Sequence, residues 1–139
     1  MIVRILAVFV MLVALAPLQA PSAQASAAPI FAADTFLSAL NAGDEEAAVA
    51  AFAPDAVATL ARGDTYRGQA AMVDLVRLMV HAGRSYEIVQ AHLVDDTLTL
   101  QVDVSDHGIC WAESTVVVEV QGGKLQTFRE TAFRLRLGS

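Results

Sequence analysis

Apolar residues recur at Ala33, Phe36, Leu37 and Leu40, the three-and-four spacing of one helical face, and predict a first helix that ends at Gly43. Asp44 is placed to cap a second, short helix with Glu45 and Glu46 in its first turn and Val49 and Phe52 inward, stopped by Pro54-Asp55. A short strand from Ala56 to Ala61 and a turn at Arg62-Gly63-Asp64 lead to Tyr66 and Gly68, where a third helix begins and runs to Ala82. Met72, Leu75, Val76, Met79 and Val80 form its buried face, whereas Asp74, Arg77 and His81 fall on the wet side. From Tyr86 the period becomes two: Leu98, Leu100, Val102 and Val104 alternate with Thr97, Thr99, Gln101 and Asp103. Four strands fit the remainder, Tyr86 to Val94, Thr97 to Ser105, Trp111 to Val120 and Lys124 to Leu135. Turn residues at Asp95-Asp96, Asp106-His107-Gly108 and Gly122-Gly123 join them as hairpins. Helices first and a meander second predict an α+β fold, three N-terminal helices packed on one face of a curved antiparallel sheet.

The unbroken apolar run from Ile5 to Ala16 lies outside this pattern. It follows Arg4 and leads to small residues around Ala23-Gln24-Ala25, the order of a secretory signal peptide. It is too short to span a bilayer. The expected organisation is a signal peptide at 1–25 cleaved after Ala25, with Ala20 as the second site and an uncleaved anchor as the alternative, a linker at 26–32, and one domain at 33–137. The mature protein is then secreted or periplasmic, with no stable membrane anchor. The formal net charge is −6 with no basic cluster, which argues against nucleic acid as a partner. Cys110 is the single cysteine, so no internal disulfide forms, and a buried free thiol is expected.

Several short stretches carry a family likeness. Ala39-Leu40-Asn41-Ala42-Gly43-Asp44, then Val49 through Ala56, Tyr66-Arg67-Gly68 before a helix, and Gly123-Lys124-Leu125 opening the last strand resemble the NTF2-like superfamily. The nearest branches are similar to ketosteroid isomerase and the SnoaL-like polyketide cyclases. The resemblance implies a cone-shaped fold with a pocket between helices and sheet, a scaffold that hosts many unrelated activities. Ketosteroid isomerase uses a carboxylate base and an oxyanion hole of a tyrosine and a protonated aspartic acid. The positions that resemble these hold Phe36, Leu60 and Val116, so steroid isomerisation by that mechanism is not expected. The cyclase branch places an acid/base carboxylate six residues beyond the lysine of its Gly-Lys turn, which is Glu130 here. The alternative is a strand glutamate facing solvent or paired with Arg129 or Arg134.

Other residues have both functional and plain readings. Trp111 is either a stacking surface for a ligand or a core residue, and Tyr66 either orients a ligand or meets water. His92, alternating with Ile88 and Gln90, is a second acid/base candidate if it faces the cavity, and otherwise a structural histidine. Asp103, Asp106 and His107 are better explained by turn chemistry than by metal binding. No cofactor or metal is called for, and no nucleophilic triad, phosphate loop or dinucleotide fingerprint is present. The expected pocket is apolar, lined by Phe36, Leu40, Leu60, Tyr66, Trp111, Val116 and Phe128. The leading expectation is an exported binding protein for a small apolar or amphipathic ligand. The alternatives are an enzyme of isomerase, cyclase or lyase type using Glu130, and an interaction domain forming a homodimer through the sheet.

Overall fold

The computed structural model describes residues 20–136, with side chains described for 28–131 and 134–136. The expected leader lies mostly outside the described residues. Helix α1 spans Ala20–Asn41, so the segment 26–32, expected as a linker, is helical. Alanine-rich sequence favours that state, and it carries Pro29 inside the helix. At its end Gly43 takes φ +72°, and the amide of Asp44 returns to the Ala39 carbonyl at 2.9 Å. The Asp44 carboxylate accepts from the amide of Ala47 at 3.1 Å and so caps α2 (Glu45–Ala50). Helix α3 spans Gly68–His81, with Met72, Leu75, Val76 and Met79 buried as expected and His81 exposed. Among the described residues no helix is long and apolar enough to cross a membrane.

Six strands form one sheet in the order β2-β1-β6-β5-β4-β3: β1 (Phe52–Thr59), β2 (Thr65–Arg67), β3 (Arg84–Val94), β4 (Thr97–Asp106), β5 (Ile109–Gln121) and β6 (Lys124–Leu135). The last four make the expected antiparallel meander, whereas β1 lies parallel to β6. Two details differ from expectation. Strand β1 starts at Phe52 and contains Pro54, and because proline has no N–H to give, the β1–β6 register breaks between Phe52 and Val57. Strand β2, antiparallel to β1, occupies Thr65–Arg67, the stretch expected only to connect the Arg62-Gly63-Asp64 turn to the third helix.

The core lies between the helices and the concave face. Phe36 of α1 meets Phe52 edge-on at 4.8 Å and Phe128 at 5.4 Å between ring centroids, and Tyr86 meets Phe128 at 6.4 Å.

Single-residue slips in the meander decide which side chains face this core. Val89 of β3, Trp111 of β5, and Gln126 and Thr131 of β6 each lack a partner on a neighbouring strand. An inserted residue reverses the in–out alternation beyond it.

Candidate functional site

A cavity of about 500 Å³ opens at one end of the cone, between the last turns of α3, the β1–β2 turn and the ends of β3, β5 and β6. Leu60, Met79 and Trp111 supply apolar wall. Of the residues expected to line a pocket, only Leu60 and Trp111 do so. Phe36, Leu40, Val116 and Phe128 are packed solid in the core, because large apolar side chains on α1, β5 and β6 fill the deep part of the cone. Tyr66 packs half-buried against the same core, away from the cavity.

The expectation of a hydrocarbon-lined interior does not hold. Glu130 lies on the cavity wall with only 6% of its surface exposed. Its Oε2 accepts from the Tyr86 phenol at 3.0 Å and its Oε1 from the amide of Ala61 at 3.2 Å. Arg129 and Arg134, its alternative partners, are exposed. No ion pair among the described residues reaches Glu130.

The contact between Glu130 and Tyr86 needs a strongly bent sheet. Their strands are three steps apart, about 14 Å across a flat sheet. A bond of 3.0 Å therefore means that β3 curls over toward β6.

Two residues before Tyr86 on β3, Arg84 also lines the cavity. It grips Asp106, its cross-strand neighbour on β4, through Nε at 2.7 Å and Nη2 at 3.1 Å. The guanidinium carbon stands 5.3 Å from the centre of the Trp111 ring. Trp111 reaches this place because the slip in β5 breaks its alternation.

The ionisation of this cluster follows from burial and charge. Burial and the adjacent Glu130 carboxylate push the Tyr86 phenol well above its ordinary 10.0, against the opposing pull of Arg84. Tyr86 is therefore a proton donor throughout the physiological range. Burial disfavours the Arg84 cation, but the bond to Asp106 and the nearby phenol outweigh it and raise its pKa further. The same bond to Arg84 holds the Asp106 carboxyl below 3.8, despite partial burial.

The remaining candidates lie elsewhere. His92 is exposed: Ile88 stands opposite buried Val102, but beyond the slip at Val89, Gln90 and His92 stand opposite Gln101 and Thr99 on the outer face. Asp103 is bonded to Arg136 at 3.0 Å. The imidazole of His107 lies over Gly83, where a Cβ would come within 2.4 Å of Nδ1, and the His107 amide donates to the Gly83 carbonyl at 2.9 Å. Cys110 is exposed, not buried, at the start of β5.

Tyr86, Arg84 and Asp106 were missed as site residues because each looked like ordinary strand or turn sequence. The usable signal was parity: Arg84 and Tyr86, in the first half of β3, share the face of apolar Ile88.

Helices laid over one face of a bent, mostly antiparallel sheet, with a cavity at one end, define the NTF2-like cone. The model of the SnoaL-like domain matches residues 33–133, and the chain belongs to this family. Solved structures with the same fold include an LEH-like epoxide hydrolase from M. tuberculosis (21% identity, 78% of this chain and 84% of that one, TM-score 0.67). A candidate polyketide cyclase from Sinorhizobium meliloti is similar at 19% identity (72% and 93% covered, TM-score 0.65). A protein from Catenulispora acidiphila with a ketosteroid isomerase-like fold, in complex with trimethylamine, is similar at 14% identity (73% and 84% covered, TM-score 0.65). No curated protein is recognisably similar in sequence. These likenesses establish fold and family; activity has to be argued from the cavity.

Proposed function

We propose that the protein is a SnoaL-like enzyme that moves a proton on a small, mainly apolar carbonyl substrate, with Glu130 as general base and then general acid. The observation that carries this reading is a carboxylate buried on a cavity wall, with no cation paired to it among the described residues and a neutral phenol bonded to one of its oxygens. Glu130 takes the proton from carbon beside the carbonyl, the C–H electron pair becomes the C=C bond of an enolate as the carbonyl π pair moves onto oxygen, and the proton returns from Glu130 at the same or a conjugated carbon as those pairs move back. As Glu130 becomes neutral, the charge moves to substrate oxygen. The Arg84 guanidinium is a half-buried positive group on that wall able to stabilise it, and Arg62, the other cation lining the cavity, is exposed.

The test is hydrogen–deuterium exchange in D2O, followed by proton NMR, on a panel of cyclic and open-chain ketones. Wild-type protein accelerates loss of the C–H signal, and Glu130→Gln loses at least about a hundredfold of that acceleration. Equal exchange by both proteins refutes the assignment of Glu130.

One observation favours a second reading, a binding protein without catalysis. Both carboxylate oxygens already accept hydrogen bonds, as in a structural glutamate. A small molecule retained through purification and seen by native mass spectrometry, together with no exchange on any ketone, decides for binding.

Export is part of the proposal, supported by the order Arg4, apolar run, small residues. Intact mass of protein from its own host is expected to begin at Ser26. A mass that retains residues 1–25 refutes it.

A further inference from the structure

We propose that the substrate is a single-chain amphiphile with an uncharged carbonyl head, whose tail leaves the cavity over a lip formed by Leu78 and Leu135. The proposal deepens the proton-transfer reading and rests on it for the identity of the head group.

The tail follows from the shape and polarity of the mouth. Leu78, near the end of α3, and Leu135, at the end of β6, both line the cavity, yet 54% and 56% of their surfaces face water. The neighbouring apolar residues of α3, Met72, Leu75, Val76 and Met79, are all buried. Two half-wet leucines on separate elements thus continue the apolar wall of Leu60 and Met79 outward to the surface. A ligand contained wholly within the cavity leaves that lip in water, whereas a hydrocarbon chain passing between the two covers it.

The head follows from charge. Glu130 has no cationic partner among the described residues, and Arg84 already spends its Nε and Nη2 on Asp106. A ligand carboxylate entering here sets a second anion beside Glu130, where Arg84 is largely neutralised by Asp106 and the other cation lining the cavity, Arg62, is exposed and shares the β1–β2 turn with Asp64. A neutral carbonyl accepts a hydrogen bond from the guanidinium without adding charge and still presents its adjacent C–H.

Trp111 is the single tryptophan and stands on the cavity wall, so its emission reports occupancy. The protein is titrated with 2-pentanone, 2-heptanone and 2-nonanone, and with pentanoate, heptanoate and nonanoate. Ketone affinity is expected to rise about threefold to fourfold per added methylene. Each carboxylate is expected to bind at least about tenfold more weakly than its ketone. Leu78→Ser and Leu135→Ser flatten the chain-length gain, and far-UV circular dichroism with the urea midpoint of each variant shows that it is folded.

Carboxylates that bind as well as ketones overturn the neutral head. A chain-length series that is flat in wild type, or steep in both lip variants, overturns the tail, and no binding by any ketone overturns both. These outcomes separate from those of the exchange assay. Ketones that bind with a chain-length gain but exchange no protons leave the amphiphile standing and sink proton transfer, whereas exchange on short ketones without any gain does the reverse.

Discussion

Replacing Tyr86 by Phe tests the central contact of the site with little change in volume. The ring keeps its edge-on packing against Phe128, and only the hydroxyl that donates to Glu130 Oε2 is removed. Tyr86 is 2% exposed, so solvent does not readily supply the missing donor. A hydrogen bond to a charged group contributes about 1.5–3 kcal/mol, which places the expected loss near 2 kcal/mol at neutral pH. For a domain of this size that is a shift on the order of 1 M in the urea midpoint.

The pH dependence of the same variant carries a second, independent sign. The folded phenol is held above 10.0, so between the unfolded and the folded values the native state binds a proton that the unfolded state has released. Stability from Tyr86 is thus complete below pH 10 and is lost as pH rises further, by about 1.4 kcal/mol per unit. Phenylalanine has no proton to lose. The gap between wild type and Tyr86→Phe in urea unfolding should therefore be flat from neutral pH to about 10 and narrow to below roughly 1 kcal/mol by about pH 11. Equal stability at neutral pH, or a gap that widens in alkali, refutes the buried bond to Glu130.

Two further substitutions probe the supports of the cavity. Asp106→Asn leaves Arg84 without its bidentate partner and should cost about 1 kcal/mol, discounted because Asp106 is partly exposed. Since Asp106 is held below 3.8 in the native state, its contribution is present above that pH and disappears as pH falls, so wild type and variant should converge in acid unfolding curves. Gly83→Ala places a Cβ on the His107 ring at a residue with φ +61° and should destabilise by about 1–3 kcal/mol in urea titrations. Adding His107→Ala should recover only the steric part, and full recovery shows that the backbone conformation costs nothing.

How far the sequence discloses this molecule depends on the residue. Helix α3 and strand β4 were legible because their apolar residues follow one period throughout, the other meander strands because turn residues bound them, and Gly43 and Asp44 marked the end of one helix and the cap of the next. The fold followed from those periods together with the family likeness. The site did not, because Trp111 lies at a slip and Glu130 between two, where a period of two counts the wrong face. Counted from Leu125, unbroken alternation sends Glu130 to solvent. The extra residue at Gln126 reverses the parity, so that Phe128 and Glu130 both turn inward. The slip at Val89 does the opposite to His92, which an uninterrupted count from Ile88 carries into the cavity.

The reversals are not wholly invisible. In β3 the residues opposite buried neighbours pass from even to odd between Ile88 and Ala91, and in β6 the buried residues pass from odd to even between Leu125 and Phe128, as a strand with one buried face requires when a residue is inserted. What no local pattern discloses is that Tyr86 and Glu130, three strands apart, meet at all. That contact belongs to the bend of the sheet, to which every slip contributes, and it brings the buried carboxylate and its phenol together on the cavity wall.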